Sequence, residues 1–295
     1  MPLNLPSGLP AYEMLKQEAI HICPINTDTQ RTLQILLLNL MPLKEQTETD
    51  FARIFASSEL NVELTLLRIS GHESKNTSKE HLDKYYKVFD QVKDTHFDGM
   101  IITGAPVEHF PFEDVLYWKE VQMIFDWAKE HINTTLYICW AAQAALYHFH
   151  GIDKQSLPQK QFGIFKHRLL NHEIPLFRGF DDEFYVPHSR HTTIQRGDIV
   201  GNPNLTLLSE SDEAGVYIIA NKYSNDFYIT GHSEYAADAL HKEYVRDISR
   251  GLPIDVPVNY YKNDDPRLTP VVRWRAHSIL LFNNWVKYYV NKKSE

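Results

Sequence analysis

The chain has 295 residues, of which 43% are hydrophobic and 12% aromatic, enough to bury a large core. Its formal net charge of −8 argues against the phosphate backbone of a nucleic acid as a partner. The two cysteines, Cys23 and Cys139, are too few for a disulfide scaffold. No apolar run approaches the roughly 18 to 20 residues that a membrane span needs, and no signal peptide is recognisable, so we expect a cytoplasmic protein.

The first half of the chain alternates strand-like and helix-like segments. Residues 33–41 (LQILLLNLM) form a continuous apolar run, which suits a parallel strand covered on both faces. The Pro-rich lead before this run is expected to lie on the surface. By the same reasoning we predict strands at 62–68, 98–105 and 136–140, and helices at 47–57, 112–131 and 141–149.

The second half contains shorter segments. We predict short strands and loops at 162–173, around 185–190 and at 205–210, and a hairpin-like pair of strands at 216–220 and 227–230. Helices are predicted at 236–249 and 274–290. Without an internal repeat or a flexible linker, the simplest architecture is a single α/β domain over residues 1–295, with a mostly parallel open sheet and helices on both faces. Ligands bind such sheets at the carboxyl ends of the strands. Gly104-Ala105-Pro106, Cys139 and His232 all fall at predicted strand ends.

Cys139 lies where a short strand turns directly into a helix. This position places the sulfur near backbone N–H groups and the positive end of the helix dipole, which favours a thiolate. The same N–H groups can stabilise an oxyanion formed when the sulfur attacks a carbonyl carbon. The alternative is a buried cysteine that acts only as a small hydrophobic residue.

His232 and Glu234 are two residues apart, so on an extended backbone they point to the same side and can pair. A carboxylate on one imidazole nitrogen leaves the other free to accept a proton from a thiol or hydroxyl. A chance pair on a surface strand is the alternative. His188 and His191 could instead be metal ligands, although no histidine or cysteine pair here has a familiar zinc spacing.

Several segments together resemble the homoserine O-acyltransferases of methionine biosynthesis, in the superfamily of class I glutamine amidotransferases. They are MPLNLP, LLLNLMPLKEQTETDF, DGMIITGAP, YICWAAQAAL, RGFDD, PHSRH, TGHSEY, NYYKNDDP and WRAHSILLFNNW, and they extend over nearly the whole chain. The resemblance implies a flavodoxin-like sheet and a triad in which Cys139 carries the acyl thioester, His232 is the general base and Glu234 orients it. In the family's ping-pong cycle, acetyl-CoA acylates the cysteine and L-homoserine then accepts the acyl group.

The resemblance also implies the substrate-binding residues. It maps them onto Lys160, Ser189 and Arg246, and the guanidinium of Arg246 suits the α-carboxylate of an amino acid. Lys44 and Trp140 are further pocket candidates. We expect no cofactor besides acetyl-CoA as co-substrate, no metal, no nucleic-acid or membrane partner, and a homodimer.

Glu108 follows the TGAP motif at the position that separates acyl donors in this family, where glycine accompanies succinyl-CoA. A glutamate there would fill the space of a succinyl tail and repel its carboxylate, which predicts acetyl-CoA as donor. Ser233 stands where the family commonly has proline, and we expect it to loosen the backbone slightly.

Other functions remain open on the sequence. L-Serine is one methylene shorter than homoserine and could be the acceptor, and succinyl-CoA could be the donor. A glutaminase-like cysteine hydrolase would share the fold and the triad, although Trp140 stands where glutaminases have a smaller residue. A non-catalytic binding protein is the last alternative.

Overall fold

The computed structural model describes residues 3–18, 20, 22–24, 31–71 and 76–292. The strands are β1 (Leu3–Leu5), β2 (Cys23–Pro24), β3 (Leu33–Leu38), β4 (Val62–Leu67), β5 (Tyr86–Lys87), β6 (Gly99–Ile102), β7 (Thr135–Ile138), β8 (Gln155–Leu169), β9 (Glu183–Thr193), β10 (Leu205–Ser211), β11 (Gly215–Asn221) and β12 (Phe227–Ile229). The helices are α1 (Pro10–Gln17), α2 (Lys44–Phe55), α3 (Lys79–Tyr85), α4 (Trp118–His131), α5 (Trp140–His150), α6 (Arg196–Val200), α7 (Ala239–Ser249) and α8 (Arg275–Trp285).

One sheet connects the described strands in the order β2-β1-β4-β3-β6-β7-β12-β11-β10-β8-β9, with β5 also paired to β4. The pairs from β2 to β12 are parallel, and those from β12 to β9 are antiparallel. β3 is central in the parallel half, as its apolar run predicts. The predicted α/β class with a mostly parallel sheet is therefore confirmed, and the antiparallel pairs form the second half.

Helices cover both faces of the parallel half. Leu33, Ile35 and Leu37 of β3 pack in one core layer with helices α1, α2 and α8. Leu36 and Leu38 point to the opposite face and pack with α4 and α5. This alternation along a buried strand explains why β3 carries almost no polar residue. Within the described residues, no helix combines the length and apolar character that crossing a membrane requires.

Of two predictions about the chain ends, the first is wrong and the second is confirmed in its extent. The Pro-rich lead does not lie on the surface, because Leu3–Leu5 is fully buried and pairs with β2 and β4. Helix α1 follows directly, with Pro10 at its first position, where a missing N–H costs nothing. The predicted helix at 274–290 is α-helical only through Trp285 and continues as a π-helical segment over Val286–Val290.

Candidate active site

Three segments meet at the carboxyl edge of the parallel strands. Gly104 follows β6, Cys139 follows β7 and His232 follows β12. These strands are parallel neighbours, so their ends lie together. A β-carbon added to Gly104 would lie 3.2 Å from the Cys139 β-carbon and 3.6 Å from His232 Cε1. The three predicted strand ends therefore form one site.

Cys139 occupies a sharp, strained turn. Its φ of 53° and ψ of −114° lie outside the common regions for an L-residue, at a cost of order 1–3 kcal/mol. Its N–H donates to the Ile229 carbonyl at 2.7 Å and is therefore not free for an oxyanion, contrary to the simplest form of our prediction. The Trp140 N–H, in the first turn of α5, is a donor without an intrahelical partner and can serve instead.

The His232–Glu234 pair forms, although not for the predicted reason. Nδ1 of His232 lies 2.7 Å from Oε1 of Glu234, and the two side chains are 3% and 8% exposed. The pair lies in a turn after β12, where the Tyr235 N–H donates to the His232 carbonyl at 3.3 Å. The side-by-side placement therefore comes from a turn and not from an extended strand.

The surroundings of His232 favour its charged form. Burial lowers the pKa of His232, but the adjacent Cys139 sulfur and Glu234 carboxylate outweigh it, and the pKa is raised well above its ordinary value. The ring of Tyr235 stacks on the imidazole, with centroids 4.2 Å apart and planes 14° apart. An aromatic face attracts a cation, so Tyr235 supports the imidazolium. Tyr235 was missed as a site residue, although it follows Glu234 in the TGHSEY motif.

A cavity of about 410 Å³ opens in front of Cys139, and Trp140 lines it as predicted. Its polar lining includes the predicted residues Lys160, Ser189 and Arg246. Lys160 Nζ and Ser189 Oγ both donate to Glu243, at 2.7 Å and 2.9 Å. The structure therefore brings the predicted residues together around a carboxylate.

Glu243 and Asp247 are the acidic members of this cluster, and sequence reasoning missed both. Arg246 Nε donates to Asp247 Oδ1 at 2.6 Å, and Arg246 Nη2 lies 3.5 Å from Glu243 Oε1. Positions three apart share a helix face, so the spacing from Arg246 on α7 was a usable signal for Glu243. A cluster with both charges suits a zwitterionic ligand.

Glu108 lines the same cavity with its carboxylate fixed against β9. Oε2 of Glu108 accepts hydrogen bonds from the His191 N–H at 2.8 Å, the Thr192 N–H at 3.2 Å and the Thr192 hydroxyl at 3.0 Å. The side chain thus accepts from two N–H groups of β9 and lies beside a hydroxyl that also has Gln143 Oε1 within 2.8 Å. Its position beside Cys139 fits the predicted role in donor choice.

Lys44 is not among the residues that line the cavity of Cys139. Its ammonium donates to the carbonyls of Asn39 at 2.5 Å and Met41 at 3.4 Å, and burial lowers its pKa to about 8. Because Met41 lines the cavity, Lys44 supports the cavity wall from behind. The prediction of Lys44 as a pocket residue is therefore corrected to a supporting position.

His188 and His191 do not form a metal site. His188 Nε2 lies 3.1 Å from His167 Nε2, and Arg190 Nε donates to His188 Nδ1 at 3.3 Å, so both ring nitrogens are engaged. The His191 ring instead packs on His109, with centroids 4.5 Å apart. The described part of the chain contains no group of three or more His, Cys, Asp or Glu side chains that could hold a metal ion.

Ser233 is tied to the core. Its hydroxyl lies 2.6 Å from the Tyr217 hydroxyl, and both side chains are buried. This hydrogen bond anchors the backbone between His232 and Glu234. We had expected a serine in place of proline to loosen the backbone at this position.

Gly231→Ala is expected both to lower the free energy of unfolding and to displace the neighbouring His232, which would reduce turnover. The added β-carbon would lie 2.7 Å from Val186 Cγ1 and 2.9 Å from His188 Nε2, and relieving such contacts costs about 2 kcal/mol. Urea unfolding and turnover measure the two effects. The matched control is Gly197→Ala on α6, where the β-carbon meets nothing within 4 Å. Equal unfolding free energies for the two variants would contradict the packing argument.

Asp50→Asn is expected to change how stability depends on pH. Burial raises the pKa of Asp50 from 3.8 to about 8, helped by Glu234 and opposed by Arg53. Between these pH values the folded wild type binds more protons than the unfolded chain, so its stability falls as pH rises. Asparagine does not titrate and so removes this pH dependence. The free energy of unfolding of the variant, relative to that of wild type, should therefore rise between pH 4 and pH 8. A difference that does not depend on pH would contradict this account.

The sequence comparison matches this chain to one enzyme family. The model of the homoserine O-succinyltransferase family matches residues 2–295. A homoserine O-acetyltransferase of Parabacteroides distasonis is 55% identical over 297 residues, covering 100% of this chain and 96% of the relative. A homoserine O-acetyltransferase of Desulfitobacterium hafniense is 54% identical, covering 100% of this chain and 97% of the relative.

Solved structures share the fold at low identity. A glutamine amidotransferase of Thermotoga maritima superposes with a TM-score of 0.58 at 14% identity, covering 89% of this chain and 100% of that chain. A glutamine amidotransferase of Methylobacillus flagellatus gives a TM-score of 0.54 at 12% identity, covering 90% and 98%. At this identity the likeness concerns the fold, and it confirms the predicted glutamine amidotransferase-like architecture.

Proposed function

Because the chain belongs to the homoserine O-succinyltransferase family and is therefore an acyltransferase, we propose that it transfers an acetyl group from acetyl-CoA to the hydroxyl of L-homoserine. The observation that carries this proposal is a single cavity lined by two groups of residues. Cys139 and His232 form one group, and the charged cluster around Glu243 and Arg246 forms the other. The first group suits acyl transfer and the second suits an amino acid.

In the first half-reaction the Cys139 thiolate attacks the carbonyl carbon of acetyl-CoA. The tetrahedral oxyanion faces the Trp140 N–H and the positive end of α5. When the intermediate collapses, the bond to the CoA sulfur breaks, and the imidazolium of His232 gives its proton to the leaving thiolate. The products are the Cys139 thioester and free CoA.

Acylation prepares His232 for the second half-reaction. The charge on Cys139 is one cause of the raised pKa of His232, and the thioester removes that charge. Neutral His232, oriented by Glu234, can then take the proton of the homoserine hydroxyl as that oxygen attacks the thioester. Release of O-acetylhomoserine restores the thiolate and the imidazolium, so the two half-reactions form a ping-pong cycle.

The charged cluster can bind both ends of the homoserine zwitterion. The guanidinium of Arg246 suits the α-carboxylate, and Glu243 with Asp247 suits the α-ammonium. Lys160 and Ser189 hold Glu243 in place through the hydrogen bonds described above. We favour homoserine over serine because relatives at 54–55% identity are named homoserine O-acetyltransferases. The difference of one methylene is worth about 1–3 kcal/mol in a pocket.

Glu108 supports acetyl-CoA as the donor. Its carboxylate is fixed to β9 inside the cavity, so the terminal carboxylate of a succinyl group would meet both its volume and its charge. An acetyl group meets neither penalty. With this donor and acceptor, the reaction would belong to methionine biosynthesis, and we propose a cytoplasmic homodimer as its setting.

Release of free CoA tests the proposed function. We expect purified protein to release CoA from acetyl-CoA in steady state only when an acceptor is added, faster with homoserine than with serine, and faster than from succinyl-CoA. Formation of O-acetylhomoserine identifies the product. A glutaminase-like hydrolase is the competing function, and ammonia release from glutamine without any reaction of acyl-CoA would overturn our proposal.

A further inference from the structure

A groove continues the active-site cavity between α2 and α7. It has a volume of about 440 Å³ and lies between the first turn of α2 and one face of α7. The residues that it shares with the cavity of Cys139 are Met41, Pro42, Tyr235, Glu243, Arg246 and Arg250. A ligand longer than the cavity can therefore extend from the cysteine into this groove.

Apolar side chains line the part of the groove near α2. Met41, Pro42 and Leu43 form this wall, and Ala239 faces them from α7. Leu43 is 45% exposed, so its side chain is accessible to a ligand in the groove. The groove can thus cover a slender, largely apolar chain.

Three cations follow one face of α7 along the groove. Lys242, Arg246 and Arg250 are spaced by four residues, and all three line it. Arg250 lies just beyond the last helical residue, but its N–H still donates to the Arg246 carbonyl at 3.2 Å, so the stripe continues in register. At 1.5 Å per residue the stripe spans about 12 Å. The chain as a whole has a net charge of −8, so this stripe of positive side chains has the opposite sign.

Two of these cations are available to a ligand. Lys242 pairs with Asp238 at 2.8 Å, but both side chains are more than half exposed, and such pairs are weak. No carboxylate of the described residues forms a salt bridge with Arg250, whereas Arg246 is engaged by Asp247 and Glu243. The charge that remains on the groove is positive at Lys242 and Arg250.

The acidic residues of the groove do not cancel this charge. Asp50 lines the groove, but its Oδ1 lies 3.3 Å from Arg53 Nη1, and burial raises its pKa to about 8. Glu243 accepts hydrogen bonds from Lys160 and Ser189 and faces the cavity cluster. Asp247 is close enough to Arg250 for their charges to interact, but it forms its salt bridge with Arg246. An anionic group in the groove can therefore approach Lys242 and Arg250.

We propose that this groove binds coenzyme A, with the pantetheine arm against its apolar wall and the nucleotide phosphates at Lys242 and Arg250. The inference rests on the proposed function for the acyl group, but it is about the part of the donor that does not react. It also explains how a chain without a glycine-rich phosphate loop can hold a nucleotide: the phosphates bind side-chain cations on one helix face.

Charge reversal at the two cations tests the groove. Lys242→Glu and Arg250→Glu are compared with wild type and with Lys119→Glu, an exposed lysine on α4 that lines neither cavity. Two donors are used, acetyl-CoA and S-acetylpantetheine, which lacks the nucleotide and its phosphates. Equilibrium binding of CoA is measured by calorimetry as a readout that needs no turnover.

We expect each groove variant to raise KM for acetyl-CoA and Kd for CoA about ten-fold, with Lys119→Glu unchanged. The ratio of kcat/KM for acetyl-CoA to that for S-acetylpantetheine should fall about ten-fold in the groove variants. Unchanged CoA binding in both variants, or equal losses with both donors, would overturn the groove. If CoA binding to wild type is weakened by the two charge reversals but the protein acetylates no acceptor, the groove is confirmed as the CoA site and the proposed function is wrong. If wild type does not bind CoA, the proposal of a CoA site in the groove is wrong.

Discussion

His232→Gln is expected to lower kcat/KM for homoserine acetylation by about 10⁴. The variant keeps a polar side chain of similar size but has no group that can donate a proton to the CoA thiolate and later accept one from homoserine. Because the same residue serves both half-reactions, a pre-steady-state assay should show both acylation and deacylation slowed. The near-native unfolding free energy of the variant has to be verified in parallel.

Glu234→Gln is the companion to this variant and separates orientation from proton transfer. An amide at this position can donate to Nδ1 of His232, which would place the imidazole proton on the wrong nitrogen, and we expect a loss of about 10³. A His232→Gln enzyme with more than a tenth of wild-type activity would contradict its role as acid and base. A Glu234→Gln enzyme with wild-type activity would show that the carboxylate is dispensable.

Glu108→Gly is expected to raise the ratio of kcat/KM for succinyl-CoA to kcat/KM for acetyl-CoA by about 10² or more. The substitution removes the volume and charge of the side chain, and it also releases the N–H groups of His191 and Thr192 and the Thr192 hydroxyl. The Thr192 hydroxyl keeps Gln143 Oε1, at 2.8 Å, as an acceptor. The N–H of His191, which lines the cavity, can then bind the terminal carboxylate of a succinyl group.

Glu108→Gln is the matched control, because glutamine keeps the volume but not the charge. If space decides, glutamine should leave succinyl-CoA poorly used; if charge decides, glutamine should recover part of the succinyl activity. An unchanged donor preference in Glu108→Gly, measured with both donors at subsaturating concentration, would show that Glu108 has no part in donor choice.

The elements whose residues carry a strong local pattern could be predicted from sequence. The apolar run of β3 and the alanine-rich start of α5 each determine their structure locally. The position of Cys139, between the short strand β7 and α5, could therefore also be predicted. Strand β1 could not be predicted in this way. Leu3–Leu5 is three residues long and becomes a strand because β2 and β4 pair with it, which is a long-range effect.

The site was predictable where a motif held neighbouring residues together. His232 and Glu234 are two positions apart, so their pairing was foreseen, although a turn and not a strand produces it. The fixing of Glu108 by β9 depends on residues 83 and 84 positions away and has no local signal. The same holds for Glu243, whose partners Lys160 and Ser189 arrive from the antiparallel half of the sheet.

The central claim is that Cys139 carries the acetyl group between donor and acceptor. Intact-protein mass, recorded after rapid mixing of wild type and Cys139→Ala with acetyl-CoA alone and after a chase with homoserine, tests it most directly. We predict an acetyl adduct on wild type only, which homoserine removes with formation of O-acetylhomoserine faster than serine does. An equal adduct on Cys139→Ala, or acetylation of homoserine by Cys139→Ala at the wild-type rate, would contradict the account.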